Sequence, residues 1–225
     1  MLRAAREAGA GDLWCLGDLT GYGADPEYCV ATITQRASRC IAGNHDLAVT
    51  GAVPIERFSG HVHQALEWTR SVLSPELLAT LAALLPSDAK DGPLLAHGSP
   101  RDPIWEYILG SEQALEILRD RREPLAFTGH THLPAYWHMT PVGDLQGGFV
   151  AGIGEVALAE GRWLVNPGSV GQPRDGDARA SWLLYDPDAK SIAFRRTPYD
   201  VAGAQNAILE AGLPEELANR LAEGR

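Results

Sequence analysis

Apolar positions along the chain recur at two periods. Up to about residue 132, short apolar runs that read as buried strands alternate with helically spaced stretches. Leu2, Ala5 and Ala8 share one face of an N-terminal helix, which Gly9 and Gly11 close. Asp12 to Leu16 reads as a strand ending at Gly17-Asp18. A glycine-rich loop, Leu19 to Pro26, then enters a helix to about Arg36, with Asp25 as its cap and Pro26 in its first turn. The apolar run 40–42 is broken by Gly43-Asn44-His45-Asp46, which reads as a loop followed by a polar stretch. Helical spacing predicts a helix over about Ser59 to Arg70. Another starts at Ser74-Pro75-Glu76 and ends by Pro86, with Leu77, Leu78, Leu81 and Leu84 on its apolar face. Gly92 to Ala96 is a strand delivering His97-Gly98. Ser111 to Arg122 is an amphipathic helix with its arginines at the C-terminal end, and Leu125 to Thr128 is a strand delivering Gly129-His130-Thr131-His132.

From Leu133 the period shortens. Alternating segments at residues 136–139, 149–153, 156–158, 162–165, 180–185 and 191–195 suggest antiparallel strands, with Asn166-Pro167-Gly168-Ser169 as a turn between two of them. Two helices, Val201 to Ala211 and Pro214 to Leu221, end the chain. With βα units first, a meander after them and no linker or repeat, residues 1–225 read as one sandwich-like α/β domain.

Composition narrows the functions open to such a domain. At 225 residues, 45% hydrophobic and 21% charged, the chain can bury a core without staples. A net charge of -10 argues against a nucleic-acid polymer or an anionic membrane as the main partner. It leaves a small phosphate ester open, because bound cations reverse the local sign. Cys15, Cys29 and Cys40 lack CxxC spacing and read as reduced thiols of a cytoplasmic protein. The first ten residues carry Arg3, Arg6 and Glu7 and read as no signal peptide, and no run approaches the roughly 20 apolar residues of a membrane span.

The chemistry collects at the four strand ends. Asp18, Asn44, His97, His130 and His132 are oxygen and imidazole donors without thiolate, a set suited to manganese, iron, zinc or nickel. His130 and His132, two apart in an extended segment, project to one side. Two such imidazoles can serve different ions of a pair, and a carboxylate such as Asp18 can bridge them. A pair of ions readies water and stabilises charge developing at phosphorus. His45, beside Asn44, is placed to give a proton to a leaving oxygen or to hold a phosphoryl oxygen, and Asp46 to orient that imidazole. Arg174 could grip a phosphate, although a solvated arginine is the plainer reading. Tyr22 is expected at the pocket rim, His61 and His63 at the surface or core edge, and His138 packed within a strand.

Gly17-Asp18, Gly43-Asn44-His45-Asp46, His97-Gly98 and Gly129-His130-Thr131-His132, in this order, resemble the motifs of the calcineurin-like metallophosphoesterase superfamily. The run from Asn166 to Arg174 is similar to its small bacterial phosphodiesterase branch. The resemblance implies a two-layer β-sandwich flanked by helices and a phosphodiesterase or phosphatase with two divalent ions. It implies that Asp18 bridges the ions, that Asn44, His97 and His130 complete one shell, that His132 serves the other, and that His45 stabilises the transition state. The family's opening strand ends in Asp-x-His, and no such motif precedes Gly17-Asp18 here. The expectation is that this chain starts late relative to the functional protein. The alternatives are a protein that has lost one site and keeps a single ion, and a non-catalytic scaffold or interaction module.

Overall fold

The computed structural model describes residues 1–90 and 92–225. The chain opens with α1 (Leu2–Glu7), β1 (Trp14–Cys15), α2 (Pro26–Arg36), β2 (Arg39–Cys40) and α3 (Asn44–Thr50). A 3-10 turn at Ile55–Arg57 precedes α4 (Gly60–Val72) and α5 (Pro75–Ala82). Next come β3 (Ser87–Asp88), β4 (Leu94–Ala96), α6 (Ser111–Arg119) and β5 (Leu125–Thr128). The second half runs β6 (Pro134–Met139), β7 (Leu145–Phe149), β8 (Gly154–Ala157), β9 (Arg162–Pro167), β10 (Ala180–Asp186) and β11 (Ser191–Thr197), then α7 (Val201–Glu210) and α8 (Glu215–Glu223).

A six-stranded sheet, ordered β3-β4-β5-β9-β6-β7, carries the frame. Its middle strands β4, β5 and β9 run parallel, while β6 pairs antiparallel with β9 and β7 antiparallel with β6. The parallel β5–β9 pairing corrects the expectation of an all-antiparallel second half. Period-2 alternation explains how this sheet is covered on both faces. Leu94, Ala126 and Leu164 face one side, where Ala114, Ile117 and Leu118 of α6 pack on them. Leu95, Phe127, Trp163 and Val165 face the other, against Ile192 and Phe194 of β11. That second layer is a three-stranded antiparallel sheet, β10-β11-β8. The short parallel pair β1–β2 joins the same interior through Ile41, with Trp14 and Leu16 packed partly buried against it.

Two further apolar clusters carry α2 to α5 and the C-terminal helices. Val30, Val49, Leu66, Leu73 and Leu81 bring α2, α3, α4 and α5 together, and Ala65 of α4 meets Ile208, Leu217 and Leu221 of the C-terminal helices. Among the described residues, no helix is long and apolar enough to cross a membrane.

Two local readings need correction. The segment after Gly43 is not a polar loop; Asn44–Thr50 is a helix whose first six residues are all buried. Asp46 in its first turn accepts from the Gly43 amide at 2.9 Å, which satisfies a donor at the helix start. At the other end, Arg70 donates to the carbonyls of Val49 and Ala48. Strand β7 lies earlier than the apolar run around residues 149–153, because it is built on glycine. Gly147 has φ 102°, and a Cβ there would lie 2.3 Å from the Tyr136 carbonyl of the neighbouring strand. Glycine disfavours strands in isolation, so this one is invisible to a propensity reading.

Candidate metal centre

The loops that leave β1, β2, β4 and β5 converge on one point. Their backbone is held in conformations that ordinary residues avoid. Asp18, His130 and His132 have φ of 53°, 64° and 60°. Among the described residues, Lys190 in the β10–β11 turn is the only other non-glycine residue with positive φ. Each such residue costs about 1–2 kcal/mol, so surrounding contacts must hold it there. Gly43 is one such constraint, because a Cβ at this position would stand 1.9 Å from Asp18 Oδ1. Only glycine lets the carboxylate lie against the start of α3.

Ligand atoms of Asp18, His97 and His130 all lie within 4.8 Å of one another. His97 Nδ1 donates to the Leu16 carbonyl at 2.7 Å, which turns Nε2 towards the cluster. There Nε2 lies 3.1 Å from Asn44 Oδ1, 3.2 Å from His130 Nδ1 and 3.4 Å from Asp18 Oδ2. With His97 neutral, its lone pair joins oxygen and nitrogen acceptors facing a common centre. A cation satisfies them together, so the residues fit a divalent metal.

The electrostatics agree with that donor set. Burial opposes charge on Asp18, yet His97 and His45 hold its carboxyl well below the usual range. Burial likewise opposes charge on His97, but the Asp18 carboxylate raises its pKa, so a proton there can occupy the cation's place. Burial, then the neighbouring His97, holds His130 down to about 4. Burial and the Arg174 charge hold His132 down to about 3. Neutral imidazoles are the form that binds metal.

His132 stands beside this cluster rather than in it. Its Nδ1 donates to the Gln172 carbonyl at 2.8 Å, leaving Nε2 as the nitrogen open to a ligand. His45, 4% exposed, donates its backbone N–H to Asp18 Oδ1 at 3.0 Å. Its ring packs against Tyr22 and Phe58, with centroids 4.6 and 5.2 Å away. Nδ1 is buried without a hydrogen-bond partner, against Gly21, where a Cβ would come within 2.1 Å. Burial lowers the pKa of this ring.

Asp46 does not orient His45. Its carboxylate accepts from the amides of Gly43, Leu19 and Thr20 and from the Thr20 hydroxyl. It fastens the loop after β1 to the start of α3 and so fixes Asp18 and Asn44 relative to each other. Burial and the nearby Asp18 push its pKa up to about 6 against those donors. Arg174 is not a solvated arginine either. It is half-buried, and Nη2 donates to Tyr22 Oη at 3.1 Å and to Gln172 Oε1 at 3.0 Å. It therefore belongs to the rim beside His132, as does Tyr22. His138 stacks on Trp163 at 4.1 Å, away from the cluster, and His63 faces Glu67 on α4.

The motifs did not disclose the supports. Asn166 Nδ2 donates to the Gly129 carbonyl and to Thr131 Oγ1, pinning the loop that carries both histidines. Thr20, Gln172 and Tyr107, whose ring stacks on His130 at 3.9 Å, were also missed. Only Asn166, standing before a Pro-Gly turn, had a signal in its surroundings.

Fold and site together define a metal-dependent phosphoesterase class. The model of the calcineurin-like phosphoesterase superfamily domain matches residues 1–190, and the chain belongs to that superfamily. It is similar to the uncharacterized protein MJ0912 of Methanocaldococcus jannaschii, 33% identical over 231 residues that cover 100% of this chain and 91% of the relative. Among solved structures, a metallophosphoesterase from Sphaerobacter thermophilus superposes with a TM-score of 0.87 at 38% identity, covering 100% of this chain and 94% of that one. The hypothetical protein PH1004 from Pyrococcus horikoshii OT3 superposes at 0.78 with 20% identity over 100% of this chain and 90% of its own, a likeness of fold alone. Family and fold support a metal-dependent phosphoesterase in general terms, with the Asp18–His97–His130 group as its candidate divalent-metal ligands.

Proposed function

We propose that this protein hydrolyses small phosphate esters, diesters or monoesters, at a dinuclear divalent-metal site. The convergence of His97 Nε2, His130 Nδ1, Asn44 Oδ1 and Asp18 Oδ2 carries this reading. In it, Asn44, His97 and His130 would hold one ion, His132 would serve the second, and Asp18 would contribute to both. When bound, divalent ions of manganese, iron, zinc or nickel would supply polarisation of the phosphoryl group and a more acidic water. His45, neutral through burial, donates a hydrogen bond to a phosphoryl or leaving oxygen, and its Asp18-anchored backbone fixes where that bond points. Arg174, tied to Tyr22 and Gln172, supplies positive charge at the rim for the ester's remaining oxygens. The free thiols fit a reducing cytoplasm.

The test is turnover of bis(p-nitrophenyl) phosphate by protein loaded with manganese. His97→Ala should lose both bound metal and rate. His45→Ala should keep the metal and lose a factor on the order of a hundred to ten thousand in kcat, the usual worth of a positioned proton donor. Full metal loading with no turnover would overturn the reading. A second reading, one ion with phosphate binding alone, is favoured by His132 standing outside the compact group. Metal content of one or two ions per chain separates the two.

A further inference from the structure

Resting on that function, the aromatic side chains around the cluster narrow the substrate. Four aromatic rings lie around the site, and three already have two or more aromatic or guanidinium partners. Tyr22 packs on His45 and lies under the Arg174 guanidinium at 5.8 Å. Phe58 lies between His45 and Trp105, and Trp105 carries the Arg57 guanidinium over its ring at 4.2 Å. Tyr107 differs. One face stacks on His130, with the rings 3.9 Å apart and inclined by 26°, while the residue is 41% exposed. Among the described residues it has no other aromatic or cationic ring partner.

The segment bearing Tyr107 is also fixed. The next residue, Ile108, is buried in the core beneath α6. Just before it, Glu106 is gripped by Arg101 at 2.6 Å and by the Ser99 hydroxyl. Gln113 donates to the Tyr107 carbonyl and accepts from the Leu109 amide. A large aromatic held in place, stacked on a candidate metal ligand and still 41% exposed, offers a preformed stacking platform. Surface tyrosines on loose loops lose ordering entropy on stacking; this one has little to lose.

We propose that Tyr107 receives the planar aromatic portion of the substrate, so that the enzyme prefers phosphate esters bearing a nucleobase or aryl ring over aliphatic ones. The phosphoryl group would sit at the Asp18–His97–His130 cluster and the ring over the outer face of Tyr107. A base on an aromatic platform typically gains about fivefold to a hundredfold in affinity, largely independent of which base it is.

Equilibrium binding tests this without turnover. Isothermal titration of the manganese-loaded protein with adenosine 5′-monophosphate, ribose 5-phosphate and inorganic phosphate should show the nucleotide binding at least about fivefold tighter than the sugar phosphate. Tyr107→Ala should reduce that ratio to near one, and Tyr107→Phe should preserve it. Equal affinities in the parent protein, or a ratio that survives Tyr107→Ala, would overturn the stacking role and leave the phosphoesterase reading standing. Failure of all three ligands to bind would overturn both.

Discussion

At the scale of the residue, this site depends on what is absent as much as on what is present. Asp18 fits because Gly43 has no side chain, and His45 fits because Gly21 has none. Gly43→Ala places a methyl group where the carboxylate lies, so it should abolish high-affinity metal binding while Gly11→Ala, in open space, should not; metal analysis after dialysis checks both. Asp46 is fully buried and satisfies several donors, so its removal strands them. Asp46→Ala should cost on the order of 2–4 kcal/mol in denaturant titration, given about 1–3 kcal/mol per stranded buried group. Asp177 gives a pH signature outside the metal cluster. Hydrogen bonds from Arg179 hold it down to about 2, below its unfolded value of about 3.9. Its stabilisation is present above that unfolded value and is lost as pH falls towards 2. Asp177→Asn should therefore lower stability at pH 6 by less than about 1 kcal/mol, as for an exposed pair, and the difference should vanish near pH 2.

Elements inherit their positions from alternation and from a few polar anchors. Strands β4, β5 and β9 are apolar on both faces because helices cover one side and a sheet the other. Trp137 on β6 is 2% exposed within the α6-covered layer, so Trp137→Ala should cost about 3–5 kcal/mol by chemical denaturation. Arg196 on β11 is buried, pairs with Asp175 and donates to the Arg179 carbonyl. Removing a partner from such a pair leaves an uncompensated charge, and Arg196→Ala should cost about 3–5 kcal/mol. Asp175 follows Arg174 directly, so this pair also steadies the rim beside His132. The same variant should then raise KM more than it lowers kcat.

For the whole molecule, binding and folding are linked. Asp18, Asn44, His97 and His130 come from four separate strand ends, so an ion that holds them together opposes unfolding. Metal at about a hundred times its dissociation constant adds about 2.7 kcal/mol, which for a chain of this size raises Tm by roughly 5–10 °C. Calorimetry of the metal-stripped and reloaded protein should show that rise, and His97→Ala should erase it. An unchanged Tm on loading would mean that the cluster does not hold an ion in the folded state.

Much of this was legible in the chain. Gly17-Asp18, Asn44-His45, His97-Gly98 and His130-Thr131-His132 each end an apolar run, so periodicity places them at strand ends, and their donor chemistry names the kind of ligand. The turn-like composition of Gly43-Asn44-His45-Asp46 masked the helix that starts at Asn44, although its cap is local, Asp46 folding back on Gly43 three residues away. Local rules could not see β7, because its glycines serve a neighbouring strand.

The sequence by itself determined the donor types and their attachment to strand ends, since both follow from residues adjacent along the chain. Only tertiary structure decided that Asp46 accepts from the loop after β1, that Arg174 lies against Tyr22, and that Tyr107 covers His130. These contacts join residues distant in the chain. No local propensity encodes them, and packing alone selects them.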